Sequence, residues 1–427
     1  MSQIIFITLL IITLSVFSWS AWRIYRFFRL TRPAYPVRDI GKRIRLTIVN
    51  AIFQERIFRN RIAGFMHAMV FWGFCIILLG SIEMVIDGVA GTDRALSFLG
   101  PVYDVIMALG DIFAYVIALF IVIFIVRRSI LNIPRLHGRE LTHTNHTDAF
   151  LALSLILVLM LTLAGLNIFY IAGHEEYTGS FPVSALFAPL YTNTNPVIVK
   201  WLHDAFWWSH ILLIFLFANI LPYSKHFHIF MSVPNVFFSR LSPLGKMYTM
   251  EDITREVKLM MDPATAFAAA PSDQPPARFG ILDIEDVTWK NYIDSLACTQ
   301  CGRCTSVCPA AITGKMLSPR KMIMDIRRRM KEKGPHLVKE GKDFSDQKAL
   351  IRSYISEEEI WACTTCNACA RECPLNIDHP TFILDLRRYL VMEESKAPAP
   401  LNAMFSYIEN NGAPWQVSQQ DRMKWVE

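Results

Sequence analysis

The stretch CTQCGRCTSVCP at residues 298–309 returns as CTTCNACARECP at residues 363–374. Each copy sets three cysteines at two-residue gaps, a fourth after three more residues, and then a proline: Cys298, Cys301, Cys304, Cys308 and Cys363, Cys366, Cys369, Cys373. Three thiolates at this spacing wrap one corner of an iron–sulfur cubane, while the fourth lies too far along the turn and reaches a second cluster. The pattern predicts two [4Fe-4S] clusters with crossed ligation. One uses Cys298, Cys301, Cys304 and Cys373, the other Cys363, Cys366, Cys369 and Cys308. The alternative is zinc, which uses four cysteines in two CxxC pairs, and the doubled spacing of these eight argues against it. Eight of the nine cysteines fall in this window, which points to metal ligation in a reducing compartment and not to a disulfide framework. The ninth, Cys75, stands in an apolar run and is expected to act as a small buried apolar residue.

Working outward, the segment between the motifs predicts a basic helix opening at Pro319 and a helix start at Ser356 ahead of the second copy. Residues 262–280 collect four prolines in an alanine-rich stretch and predict a linker. Residues 246–261 before it suit a short amphipathic helix on a membrane surface.

The first half of the chain is of another kind. Apolar residues make up 53% of the sequence, above the roughly 45–50% of soluble domains. Five segments are long and apolar enough to cross a bilayer, Ile4–Phe28, Ile62–Ile86, Val102–Val126, Ala149–Ala172 and His203–Leu221. The first lacks a basic start and runs too long for a cleaved signal, so it is expected to be a retained anchor. Basic residues crowd the connection from Arg23 to Arg61 and the loop holding Arg127, Arg128, Arg135 and Arg139, whereas the other two loops hold only Arg94 and Lys200. Basic loops stay in the cytoplasm. The N-terminus is thus expected outside and the cluster domain inside an inner membrane, with Trp201, Trp207 and Trp208 at the outer interface. This arrangement also accounts for the net charge of +6 without nucleic acid as a partner.

Histidine inside a bilayer is a functional candidate by default, and one neutral imidazole from each of two helices is a common way to hold a haem. His67 lies near the cytoplasmic end of span two. His203 and His210 lie in the outer part of span five, and His226 and His228 follow its inner end. Were span five to continue past Pro222, His210 and His228 would share a face roughly 27 Å apart. The depth of His67 matches His228, so these form the first expected haem pair, with His226 as competitor for the second position. His210 would mark a second, outer haem. No histidine stands opposite it on span two, His203 shares its helix face, and His174 is a shallow alternative partner.

Five spans, a histidine early in span two, and the run from Pro222 to His228 resemble the haem-b gamma subunit of respiratory nitrate reductases, and more closely the membrane subunits of heterodisulfide-reductase-type complexes. The resemblance covers residues 1 to about 240 and implies a quinone site, for menaquinone or another quinone, beside a haem b. The nitrate reductase pattern has two histidines in span two, of which this chain keeps the inner one. The long helical insertion between the cysteine motifs resembles the small iron–sulfur subunit of heterodisulfide reductase and its relatives in glycolate, lactate and glycerol-3-phosphate oxidation. The tail, with Asn410, Trp415, Arg422 and Trp425, resembles the lead into a cysteine-rich catalytic domain. No cysteine follows Cys373, so a separate cytoplasmic catalytic subunit of heterodisulfide-reductase or flavoprotein type is expected.

These readings combine into a mainly α protein with four parts. A five-helix transmembrane haem-b bundle spans 1–240 and a linker 241–280. A cytoplasmic α-helical ferredoxin-type domain with two clusters spans 281–395, and a partner-docking tail 396–427. No nucleotide loop or hydrolytic triad appears, so the cofactors would carry the chemistry. The expected function is electron transfer between quinone and a cytoplasmic redox partner. Glu83, Asp87, Asp111 and Lys225 are candidates for proton handling at the quinone. Two other classes compete: an anchor with a purely structural haem, which reduction by a menaquinol analogue would tell apart, and an ion-translocating subunit, against which the sparse intramembrane carboxylates argue.

Overall fold

The computed structural model describes residues 2–131, 133–261, 278–341, 343–421 and 423–426. Among them the chain is helical, with no sheet and only two isolated bridges. Most of the expected linker, residues 262–277, lies outside the described residues, as does Arg422.

Five helices have the length and apolar character to cross a membrane: α1 (Ser2–Phe28), α3 (Arg61–Ala90), α4 (Pro101–Ser129), α5 (His143–Gly173) and α6 (Pro196–Ile220). A short α2 (Ile40–Thr47) lies between the first two. The bundle packs in small clusters, such as Phe6 of α1 against Ile211 and Phe215 of α6. Gly88 and Gly165 let rings lie against backbone, because a Cβ at either would fall within 2.6 Å of Phe6 or Phe206. Cys75 departs from expectation. It is exposed on the outside of the bundle and fills no core.

Span five also differs from the uninterrupted helix that the histidine spacing assumes. It ends at Ile220, passes through two tight turns at Leu221–Tyr223 and Lys225–Phe227, and restarts as α7 (His228–Phe237). Pro222 supplies no N–H to continue the ladder. Ser224 turns extended and caps the next turn, accepting from the His226 N–H at 3.1 Å. The five-turn alignment of His210 with His228 is therefore broken.

The stretch at 246–261 contains a helix, α8 (Glu251–Met261), with exposed Val257, Met260 and Met261. Beyond the undescribed stretch come α9 (Trp289–Ala297), α10 (Pro319–Glu340), α11 (His379–Met392) and α12 (Ala399–Asn411). Helix α10 opens with Pro319 at its first turn and Ser318 capping it, and the helix at Glu357–Trp361 opens on the capping box of Ser356 and Glu359. Both starts are where the sequence puts them.

The cluster domain is not hung on a free tether. Phe27 of α1 reaches into its core beside Ile323, Ile326 and Met330, and a Cβ at Gly334 would crowd that ring at 3.0 Å. The backbone of Arg32 exchanges hydrogen bonds with Val287 and Trp289, both at 2.9 Å. Basic side chains of α10 complete the joint. Arg320 pairs with Glu140 at 2.6 Å and donates to the Arg135 carbonyl at 2.7 Å. Arg327 donates to the Ser224 carbonyl at 2.8 Å. Inside the cluster domain itself, Arg329, fully buried, forks onto Asp283 and Asp346.

Removing one partner of a buried ion pair leaves a charge unmatched, at a cost of about 3–5 kcal/mol. Arg329→Met is expected to lower the thermal unfolding midpoint of the purified chain and to release iron at temperatures the wild type tolerates. Calorimetry with an iron assay checks this, and a wild-type midpoint would refute it.

Candidate redox sites

The eight motif cysteines are drawn together by turns that the sequence builds at each end. Cys298 closes α9, its N–H reaching Asp294 O at 3.0 Å. Cys308 and Cys373 each precede a proline and end a short helical turn. The thiols fall into two neighbourhoods. Cys373 feels Cys301 and Cys298, and Cys304 lies with the same three. Cys369 and Cys363 instead lie beside Cys308 and Cys366. Each fourth cysteine thus sits with the three of the other motif. The second group opens on a small recess of about 20 Å³, lined by Cys308, Cys363, Cys366 and Cys369 with Pro309, Pro319 and Pro380.

Burial pushes the Cys298 thiol up to about 11 and the Cys373 thiol up to about 12, with neighbouring cysteines adding to the shift. Thiols this reluctant to ionise lose their protons only to a strongly positive centre. Backbone N–H groups already face some of the sulfurs, that of Gln300 toward Cys298 and that of Thr365 toward Cys363 at 3.4 Å. Among the described residues no three His, Cys, Asp or Glu side chains are placed to hold one ion. Cys366 is exposed, whereas Cys304, Cys308, Cys369 and Cys373 are buried.

Gly302 stands at a close contact between the halves. Its φ is +74°, and a Cβ there would meet the Arg135 carbonyl at 2.4 Å and the Arg320 guanidinium at 2.7 Å. The first motif turns tightly because a loop of the membrane half lies against it.

His67 and His228 face each other with ring centres 6.5 Å apart. Two imidazoles sharing one iron hold their nitrogens about 2 Å from it, which sets ring centres roughly 6 Å apart. Each ring is anchored by its other nitrogen. His67 Nδ1 meets Gln54 Oε1 at 3.1 Å, and His228 Nδ1 meets the Lys225 carbonyl at 3.2 Å. Such outer partners fix tautomer and ring direction and leave Nε2 for a metal. These two residues therefore fit a bis-imidazole haem. His226 lies 5.9 Å from His228 between ring centres and is bonded through Nδ1 to Ser224 at 3.2 Å. Sequence reading misses Gln54, which is 3% exposed and sits in a left-handed turn at φ +57°. No motif marks it.

His210 is buried and hydrogen-bonded through Nδ1 to Thr162 at 2.9 Å. With His203 it lines a cavity of about 110 Å³ between α3, α4, α5 and α6, together with Glu83, Arg94, Tyr170 and Trp207. His174 turns away to the Tyr170 carbonyl at 2.8 Å. The facing ring pair seen at His67 has no counterpart at His210. The candidate proton groups are engaged. Asp111 accepts from the Val183 and Ser184 amides at 2.8 and 3.0 Å and from Asn167 at 3.1 Å. Glu83 accepts from Leu96 N at 3.0 Å and Tyr103 at 3.1 Å, and Asp87 holds the 92–95 turn. Lys225 is nowhere near that cavity. It is buried between the halves, and burial lowers its ammonium to about 8.

Residues 297–377 match the family model of the 4Fe-4S dicluster domain. Over most of its length the chain is similar to the probable iron-sulfur-binding oxidoreductase FadF of Bacillus subtilis, with 31% identity over 417 residues, covering 90% of this chain and 55% of that protein. It is also similar to the EtfAB:quinone oxidoreductase of Syntrophomonas wolfei, with 26% identity over 421 residues, covering 91% and 54%. One component of the ferredoxin/F(420)H(2)-dependent CoB-CoM heterodisulfide reductase of Methanosarcina acetivorans is 33% identical over 107 residues, covering 25% of this chain and 52% of that one. The chain spans about half the length of the curated relatives it matches. No solved structure matches. The relatives are iron–sulfur oxidoreductases, and the part of this chain that carries the cysteines matches a two-cluster domain.

Proposed function

We propose that this chain passes electrons between membrane quinone and a cytoplasmic redox partner through one haem b and two [4Fe-4S] clusters. The observation that carries the reading is the His67–His228 pair, facing at 6.5 Å with both Nδ1 atoms held, in the segment on which the first cysteine motif is docked. His67 and His228 would hold the haem, which supplies a one-electron carrier inside the bundle. Cys298, Cys301, Cys304 and Cys373 would hold the first cluster, and Cys363, Cys366, Cys369 and Cys308 the second.

The cavity at His210 is small, about 110 Å³, and is lined from α3, α4, α5 and α6. We assign it to the quinone head, with His203 and His210 as its polar wall and no second bis-imidazole haem. His210 stands ten residues before the end of α6, about 15 Å along the axis, so cavity and ring pair occupy successive levels of one bundle. Arginine-rich connections after α1 and α4 support an outside N-terminus and a cytoplasmic cluster domain. Exposed Cys366 makes the second cluster the natural contact for a heterodisulfide-reductase-type or flavoprotein-type partner.

Purified full-length protein is expected to show b-type absorption that a menaquinol analogue reduces. His67→Ala removes that absorption and leaves iron near two clusters per chain. Retention of the haem in both His67→Ala and His228→Ala would refute the assignment, and failure of quinol to reduce the haem would refute the quinone role. Gln54→Leu is expected to keep the haem but disturb its axial geometry, seen as a changed low-spin electron paramagnetic resonance spectrum. An unchanged spectrum would remove Gln54 from the site. Cys304→Ser is expected to lose the signal of one cluster and keep that of the other.

A further inference from the structure

A single side chain joins the segment that carries His228 to the loop that carries Cys298. The carbonyl of Lys225 meets His228 Nδ1 at 3.2 Å, and its N–H is held by Asp148 at 3.0 Å. Its Nζ donates to Asn145 O at 2.6 Å and to Gln300 Oε1 at 3.3 Å, with Asp148 at 4.0 Å. Gln300 in turn directs its backbone N–H at Cys298. The side chain is 7% exposed. An unbroken line of bonds and hydrogen bonds thus runs from the imidazole of one centre to the sulfur of the other. Two other cations also face Cys298: Arg320, which pairs with Glu140 and donates to the Gln300 carbonyl at 3.2 Å, and Arg327, which is held by backbone carbonyls.

We propose that Lys225 is a positioning residue for electron transfer: a buried cation fixed between the haem and the first cluster, which favours the reduced form of both and holds their spacing. The proposal rests on the haem and cluster assignment above. A unit charge about 10 Å from a redox centre, at an effective dielectric constant near 20, changes its reduced-to-oxidised ratio by about tenfold. An electron arriving at either centre adds negative charge, which the ammonium stabilises without a proton changing place. Sequence alone offers Lys225 as one candidate for proton handling at the quinone. In the structure its amine lies against Asn145 and Gln300, between the His228 segment and the cysteine loop.

Redox titration of the full-length protein, followed by haem absorption and by electron paramagnetic resonance of the clusters, tests this. Lys225→Met is expected to retain haem and iron. At a fixed potential it should lower the reduced-to-oxidised ratio of the haem by about tenfold, and that of the first cluster in the same direction. Lys225→Arg is expected to restore most of the shift. Gln300→Glu sets a carboxylate against the ammonium and should shift both centres as Lys225→Met does, which keeps the question open to measurement if the methionine variant does not fold. Unmoved potentials in both Lys225→Met and Gln300→Glu would overturn the proposal, as would an arginine variant that shifts as far as the methionine one. A wild-type protein without b-type haem would instead overturn the reading beneath it, so the two failures are distinguishable.

Discussion

Everything in this molecule depends on the burial of cations where two unlike halves meet. Arg320 and Arg327 lie two turns apart on α10, and each gives up water for partners on the membrane half, Glu140 and the Arg135 carbonyl for one and the Ser224 carbonyl for the other. Arginine suits this task because its planar fork satisfies several acceptors at once. Dry guanidinium groups are costly unless fully matched, so the contact tolerates little sliding. The relative position of the His228 segment and the first cysteine motif is thereby fixed, and a chain of redox centres needs that rigidity more than it needs any catalytic group.

The parts of the fold readable in the sequence are those set by local periodicity and spacing. Five apolar runs become five helices, Pro319 and Ser356 open helices where capping chemistry demands, and the doubled cysteine pattern matches a two-cluster domain. The histidine pair follows from depth alone, given an unbroken helix through Pro222, and the structure has no such helix. His228 still faces His67 because the two tight turns re-aim the chain before α7 begins.

What the sequence does not disclose are contacts between residues far apart in the chain with no motif of their own. Gln54 is one glutamine in a basic stretch, and only a left-handed turn brings it to His67. Gly302 stands inside a cysteine motif, and nothing in that motif announces the Arg135 carbonyl against it. Lys225 reads as a proton-handling candidate, and nothing in its neighbours announces Gln300 at its tip. Asp111 illustrates the reverse. Its isolation in an apolar run suggests proton traffic, but Oδ2 accepts from the Val183 and Ser184 amides and Oδ1 from the side chains of Asn167 and Ser184.

Phe27 has a consequence for biogenesis. The hydrophobic core around α10 counts among its members a ring delivered by the first helix of the chain, separated from α10 by nearly three hundred residues of sequence. Nearly all of the bundle must be synthesised before the domain that needs this ring has emerged, so the domain closes last, upon a surface already inserted. Maturation of the metal centres then follows completion of the bundle, and iron delivered to a chain whose first helix has failed to insert would enter a domain whose core still lacks one of its side chains.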